Sequence, residues 1–497
     1  MTKVSRKTDL FLLRMENLFG RKIIYTSVAK VDEDNVVEVV KKLNEQNLKN
    51  VSEMEYLYNY FRGKQDILDR QKTFNDYINN RITNNIAKSI VDFKTAYLVG
   101  DAIKYSSNDQ ENADGVDQLN DYCRLEGKET IDYDLVEWMN IVGTSYRLIL
   151  PKNEVVEEDE SPFYIATLDP RQTLVAYTTQ IPHKPKVVFY KTVDQTEEET
   201  ITTYSVYADG KYFRIANDAL VETQEYTLRT LPIIEYPKGK ARIGAFESVI
   251  RLLNAINTLD SNRLDGVEQA IQSLLVLVNC KMPENMNASA IREMGLVELV
   301  SNESLKADIK QISTNLDQSN TQTLKEDLLQ AVRTIVCMPN TNQGGYGGDN
   351  GLAVVYRNGW EGAYESAMTD QKNMDIAEYA SIRLMLEICE RVGSLDVPMK
   401  AINIDYTRQH YENLATKSQV LISMLNNDKI HPKVAYEASG LFYDPNKKYL
   451  EGMEWLNDHQ GTQTTEIRSD SQLGNEDSGN EPRTEEPYTG AATEEER

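Results

Sequence analysis

An α+β fold, elongated and built from several parts, is what this 497-residue sequence predicts. Three observations carry that expectation. The block from Pro162 to Pro237 is rich in β-branched and aromatic residues, while the stretches on either side keep a helical apolar period of three and four residues. Two long periodic segments are separated by Met338 to Gly351, a run of glycine and small polar residues that no helix can propagate through. The second of them runs without proline from about Leu352 to Val392, and as one helix would span about 60 Å. That exceeds the core of an ordinary domain, and the whole chain exceeds what one hydrophobic core serves.

Taken in order, residues 1–34 read as an extended or partly helical arm. Val37, Val40, Leu43, Met54, Leu57, Tyr58 and Phe61 predict a helix over Val36 to Phe61. A second covers Thr83 to Leu98, with Ile86, Ile90, Phe93 and Tyr97 on one face and Gly100 beyond its end at a C′ position. Asn108 to Gly115 is polar and reads as a loop, Tyr133 to Val142 as a helix, and Tyr146 to Leu150 as the start of a strand. Strands follow at Phe163 to Leu168, Thr173 to Tyr177, Lys186 to Lys191, Thr200 to Tyr207 and Lys211 to Ile215. Asp209-Gly210 is a type I′ hairpin signal, and the acidic runs 157–160 and 197–199 are solvated loops.

Helix returns from Ala245 to about Leu277, where Phe246, Val249, Ile250, Leu253, Ile256, Leu264, Val267, Ile271 and Leu274 form an apolar stripe that reads as core or, on so long a helix, as a face toward neighbouring subunits. An insertion follows, with strands at Leu274 to Val278 and Leu296 to Val300 and a short helix at Ala288 to Met294. Leu324, Leu328, Val332 and Ile335 predict the helix Thr321 to Cys337. Beyond the long helix, Pro398 to Tyr406 is strand-like, and helices are expected at Tyr411 to Leu425, Pro432 to Ser439 and from Pro445 to Leu456. After Asp458 apolar residues nearly vanish. Eleven acidic and three basic residues give that tail a net charge of −8, a third of the chain's −24, and it reads as disordered.

Composition excludes several functions. A surface this acidic repels nucleic acid at a distance, so any DNA contact has to be weak, local or sliding. Cys123, Cys280, Cys337 and Cys389 lie far apart in apolar contexts and read as buried reduced thiols; His183, His410, His431 and His459 have no metal-ligand spacing. The glycine run fails as a phosphate loop, since no Lys-Ser or Lys-Thr follows Gly351 and no buried strand precedes it. No Gly-x-Ser-x-Gly elbow and no His-Glu-x-x-His helix occurs, and Leu274 to Val278, the longest apolar run, cannot span a bilayer. A non-catalytic, soluble assembly subunit of a reducing compartment, without cofactor or metal, is the expectation.

Three stretches in this order resemble the portal proteins of tailed bacteriophages, of the siphophage type from Gram-positive hosts. They are Asn84 to Gly100; Leu231-Pro232-Ile233-Ile234-Glu235-Tyr236 with Phe246 to Asn257 and Leu274 to Leu277; and the helix, glycine-rich break and long helix at 321–393. The resemblance implies a homo-oligomeric ring, usually of twelve subunits, at one capsid vertex of the virion, assembled in the host cytoplasm. It implies a wing over 35–243, stem helices at 244–273 and 315–337, a clip at 274–314, a tunnel loop at 338–354, a long helix at 355–394, a crown at 395–457 and the tail 458–497. Expected partners are the terminase large subunit, a head–tail adaptor, the major capsid and scaffolding proteins, and double-stranded DNA passing without sequence preference, with no membrane. Asn340, Asn342, Gln343 and Tyr346 then touch DNA transiently, Gly344, Gly345, Gly347 and Gly348 let the loop move, and Asp349 or Asn350 caps the long helix. A phage scaffold or adaptor subunit without a DNA channel is the alternative.

Overall fold

A computed structural model describes residues 20–72, 77–108, 110–152, 160–195, 200–271, 274–278, 308–312, 318–340, 359–406, 414–442 and 445–466. The chain divides into two units, Met1–Glu412 and Asn413–Arg497. In the first unit the elements run β1 (Ile24–Thr26), α1 (Val36–Phe61), α2 (Ile86–Val99), β2 (Lys104–Ser107), α3 (Ala113–Leu125), α4 (Lys128–Val142), β3 (Thr144–Pro151) and β4 (Phe163–Leu168). They continue β5 (Thr173–Thr178), β6 (Pro185–Gln195), β7 (Thr200–Ala208), β8 (Lys211–Ala216), β9 (Ala219–Glu225), β10 (Ile233–Pro237) and α5 (Ile250–Ile271). The unit closes with β11 (Leu274–Val278), β12 (Asp308–Ile312), α6 (Gln318–Ile335), α7 (Trp360–Val392) and β13 (Ile402–Asp405).

The main sheet has the order β1-β5-β6-β7-β8-β9, and a second has the order β10-β3-β4. Asp209 and Gly210 both take positive φ, 49° and 77°, so the I′ turn between β7 and β8 forms as its sequence dictates. Asn217 and Asp218 (φ 48° and 62°) make the same kind of turn into β9, a strand the sequence reading missed because its turn carries no glycine. The arm expected at 1–34 is corrected over its described part. Ile24–Thr26 pairs in parallel with Ala176–Thr178, and the Asn50 side chain both accepts from and donates to the backbone of Lys22, at 2.9 Å each way. Residues 20–34 therefore belong to the sheet edge and its covering helix α1. Ile24, Val36, Val40 and Leu43 bury against Leu174, Val187, Phe189 and Phe213 across that layer.

Several boundaries move for physical reasons. The loop expected over 108–115 ends where α3 begins, because Val116, Leu119, Tyr122 and Cys123 bury a narrow stripe that the polar positions between them hid. Helix α4 starts five residues before the expected Tyr133, and Gly143 ends it at φ 83°. A Cβ on Gly143 would lie 2.0 Å from the Arg242 carbonyl oxygen, so only glycine permits this crossing of backbones. Gly100, expected just beyond the helix at C′, is its C-cap, with right-handed φ of −65°. The long helix is shorter than expected: it begins at Trp360 on a left-handed Gly359 and covers 33 residues, about 50 Å. The Pro398–Tyr406 strand shrinks to Ile402–Asp405 behind a 3₁₀ turn at Met399–Ala401.

In the second unit α8 (Leu414–Leu425), α9 (Pro432–Ser439) and α10 (Pro445–Glu466) follow one another. Pro432 sits at the first turn of α9, the His431 ring accepts from the Lys433 amide at 3.2 Å, and left-handed Gly440 ends the helix. Helix α10 continues to Glu466, which corrects the expectation that order ends near Asp458. The core here is small, with Leu421, Ala435 and Ser439 buried and Tyr436 stacked on Phe442 and edge-on to Tyr449.

Candidate functional site

The feature that sequence reasoning singled out is the helix pair α5 and α6 with the break that follows. Ile250, Leu253 and Ile256 bury one face of α5 beside Val332 and Val336 of the α6 segment. Further along, Lys325 Nζ pairs with Asp260 Oδ2 at 2.8 Å and Arg263 donates to Gln322 Oε1 at 2.8 Å. Between α5 and α6, β11 and β12 pair antiparallel, Leu274 opposite Ile312 and Val278 opposite Asp308. The expected strand at Leu274 to Val278 is thus present, while the readings at 288–294 and 296–300 lie outside the described residues.

The apolar stripe read as core turns outward halfway along α5. Leu264 and Val267 are 38% and 40% exposed, and on α6 Leu324 and Ile335 are 50% and 53% exposed. From Asn257 to Glu268 the buried residues are all polar: Asn257, Asp260, Ser261 and Asp265. The polar stripe has partners within the chain, while Leu264, Val267, Leu324 and Ile335 are not buried among the described residues.

Of the predicted loop residues, the structure describes Asn340 alone, whose side-chain oxygen accepts from Arg333 Nη1 at 2.8 Å. Asn342, Gln343, Gly344, Gly345, Tyr346, Gly347, Gly348, Asp349 and Asn350 lie outside the described residues. The described part of α7 has Gly359 at its N-cap position. At the exit of α6 the Met338 amide donates to the Arg333 carbonyl (2.9 Å) and the Cys337 amide to the Thr334 carbonyl (3.3 Å). That is a Schellman motif, with Cys337 at the left-handed position (φ 54°) that glycine normally fills. The end of α7 has the same two bonds, Ser394 to Cys389 and Gly393 to Glu390, with glycine at that position.

Helix α7 is fixed by a charge cluster that sequence reasoning did not find. Glu378 is fully buried and meets Lys128 Nζ at 2.9 Å, Arg147 Nη1 at 2.7 Å, the Tyr105 hydroxyl at 2.6 Å and the Tyr236 hydroxyl at 2.8 Å. Asp132 takes the second bonds of both cations, with Lys128 at 2.6 Å and with Arg147. Burial works against the Glu378 charge, but Arg147 and Lys128 outweigh it and hold the carboxyl well below the usual range. For Asp132 burial prevails and its pKa is raised. Two further buried pairs are present, a local one and one that ties the start of the described chain to the entry of α5. Glu235 receives Arg242 twice, at 2.6 and 2.9 Å, and Glu247 receives Arg21 at 2.5 Å with the Gly20 and Gly244 amides. The available signal was a basic residue inside an apolar strand, Arg147 in Thr144–Pro151, and an i,i+4 Lys128–Asp132 pair with no exposed face.

Chemistry of other kinds finds little to work with. Among the described residues no group of three His, Cys, Asp or Glu side chains converges on a metal-sized site. Cys123 and Cys389 are buried as expected, and burial pushes their thiols up to about 12 and about 11; Cys337 is only half-buried and Cys280 lies outside the described residues. No described helix is long and apolar enough to cross a membrane.

The described residues form a mixed α+β subunit, with long helices in its first unit and its buried charges held in ion pairs. The chain belongs to the phage portal proteins of the SPP1 Gp6-like family, whose family model matches residues 40–465. Its general role is therefore structural, in phage assembly. No curated protein matches the sequence.

Proposed function

We propose that the chain forms a ring whose bore passes double-stranded DNA during genome packaging, retention and ejection, at one capsid vertex of the virion. The observation that carries this reading is the apolar face of Leu264, Val267, Leu324 and Ile335, left open on two helices that already pack against each other. A neighbouring copy related by rotation would cover it on each side, and repetition of such a head-to-tail contact closes a ring. Helices α5 and α6 then form the stem, β11 and β12 the base of a clip, and residues 338–354 the loop at the bore, where Asn340, Asn342, Gln343 and Tyr346 touch DNA. A net charge of −24 suits a conduit, because each tight Lys or Arg contact to phosphate adds a counterion-release term that resists sliding. The terminase large subunit and the head–tail adaptor would dock at the clip, with capsid and scaffolding proteins around the rim.

Negative-stain microscopy of the purified protein, alone and with its scaffolding protein, tests this. Rings with a central hole are expected. Monomers of 56.7 kDa under both conditions, or closed particles without a hole, would overturn the channel reading, the latter in favour of a plain scaffold subunit.

A further inference from the structure

The buried polar stripe on α5 is covered by two described stretches, 65–72 and 77–85, and the fit is periodic. The backbone amides of Asn80, Ile82 and Asn84 donate to Asp265 Oδ1 (2.8 Å), Ser261 Oγ (3.0 Å) and Asn257 Oδ1 (2.9 Å). Two extended residues advance about 6.6 Å and four helical residues about 6 Å, so every second amide meets a side chain of every fourth helix position. The ladder continues through side chains. Asn84 donates to Asp260 at 2.5 Å, Asn257 to Gln65 at 2.5 Å, and Asn254 to Asp66 at 2.9 Å, while Arg70 (3.0 Å) and Lys72 pair with Asp265. Apolar anchoring of these stretches is confined to Ile67 and Ile78 among their buried residues. Ile256 is the last described residue of α5 in an apolar core cluster.

We propose that residues 65–72 and 77–85 are a releasable latch on the distal half of α5. Up to Ile256 the helix is held by apolar burial, which opens only when the core opens. Beyond it, the grip on the latch side consists of hydrogen bonds and ion pairs, each of which water can replace at small net loss. Opening the latch frees the distal half of α5 from this segment without disturbing the cluster around Phe246 and Val332. The inference rests on contacts within one subunit and does not require that the chain forms rings.

Residue-resolved hydrogen exchange on the full-length protein tests it. In the wild type the amides of Asn80, Ile82 and Asn84 should exchange about tenfold or more faster than those of Leu57 and Val91, which lie in helices of the apolar core. In Asp265→Asn, which removes the charge held by Arg70 and Lys72, exchange at 80–84 should quicken by about another tenfold, with Leu57 and Val91 unchanged. Equal exchange of both groups in the wild type would show that this segment opens only with global unfolding and would overturn the proposal. So would acceleration of both groups together in the variant. The wild-type comparison needs no variant to fold, and it holds whether particles or monomers are measured.

Discussion

Glu378 keeps a full charge where no water reaches it, and two cations with two hydroxyls replace its hydration. Removing that charge leaves Lys128 and Arg147 sharing Asp132 alone, and breaking a buried ionic cluster in this way costs about 3 kcal/mol or more. Glu378→Gln should therefore lower the denaturation midpoint markedly. The pH dependence follows from sign. The folded-state pKa of Glu378 lies below its unfolded value of about 4.3, so its stabilisation is complete above that value and is lost as pH falls through the folded value. The stability gap between wild type and variant should thus be constant near neutrality and shrink on acidification, as urea titrations at stepped pH will read. A gap that ignored acid would mean the charge contributes nothing. Cys337 presents the opposite case, a residue worse than its replacement. Left-handed φ costs an L-residue about 1–2 kcal/mol, and Gly393 occupies the same motif at the end of α7 without that penalty. After the extra unfolded-state entropy of glycine, Cys337→Gly should stabilise the protein by about 0.5–1 kcal/mol in a denaturant titration at unchanged slope.

At the scale of elements, much of the fold was legible where one periodicity had one burier. The strands Phe163–Leu168 and Thr173–Thr178 and the helices Val36–Phe61 and Pro432–Ser439 fall where alternation, spacing or a proline places them. Helix α5 shows why the rest was not. Its sequence carries two stripes, and the rule that apolar residues face inward selects Leu264 and Val267, whereas the chain buries Asn257, Ser261 and Asp265 against a segment nearly 180 residues earlier. Nothing local reports a partner that distant. The same holds for Arg147 and Glu378, which are 231 residues apart and read singly as surface charges. The candidate loop was legible as a break, and of the residues expected to touch DNA Asn340 has a described contact. Two substitutions separate inward from outward roles. Gly143→Ala has a steric clash as well as positive φ against it and should destabilise by clearly more than the about 1 kcal/mol that conformation alone costs. Leu264→Lys with Val267→Lys should change the melting temperature of the isolated subunit little, because both side chains already reach solvent and a lysine stem can cover the same apolar surface, and should abolish ring formation in sizing experiments. Loss of the subunit's own fold in that double variant would show that the face is covered from within.

For the whole molecule, charge decides the conditions under which copies can meet. Every subunit carries −24, so bringing several together concentrates like charge that no single fold has to bear. The apolar face on α5 and α6 supplies attraction at contact, while repulsion acts at range and is screened, from a Debye length of about 10 Å at 0.1 M salt to about 3 Å at 1 M. Ring formation should accordingly rise with salt, the reverse of an association held by surface ion pairs. Residues 467–497 hold nine acidic and three basic residues, so a chain ending at Glu466 carries −18 in place of −24. That chain should reach half-assembly at lower salt than the full-length protein, with its folded subunit unchanged, in sedimentation velocity across a salt series. An identical midpoint would mean the tail's charge is too far from the contacts to oppose them, and a higher one that the tail holds copies together. The expected order, truncated chain first, follows because hydrophobic burial is not weakened by salt while the charge repulsion opposing it is.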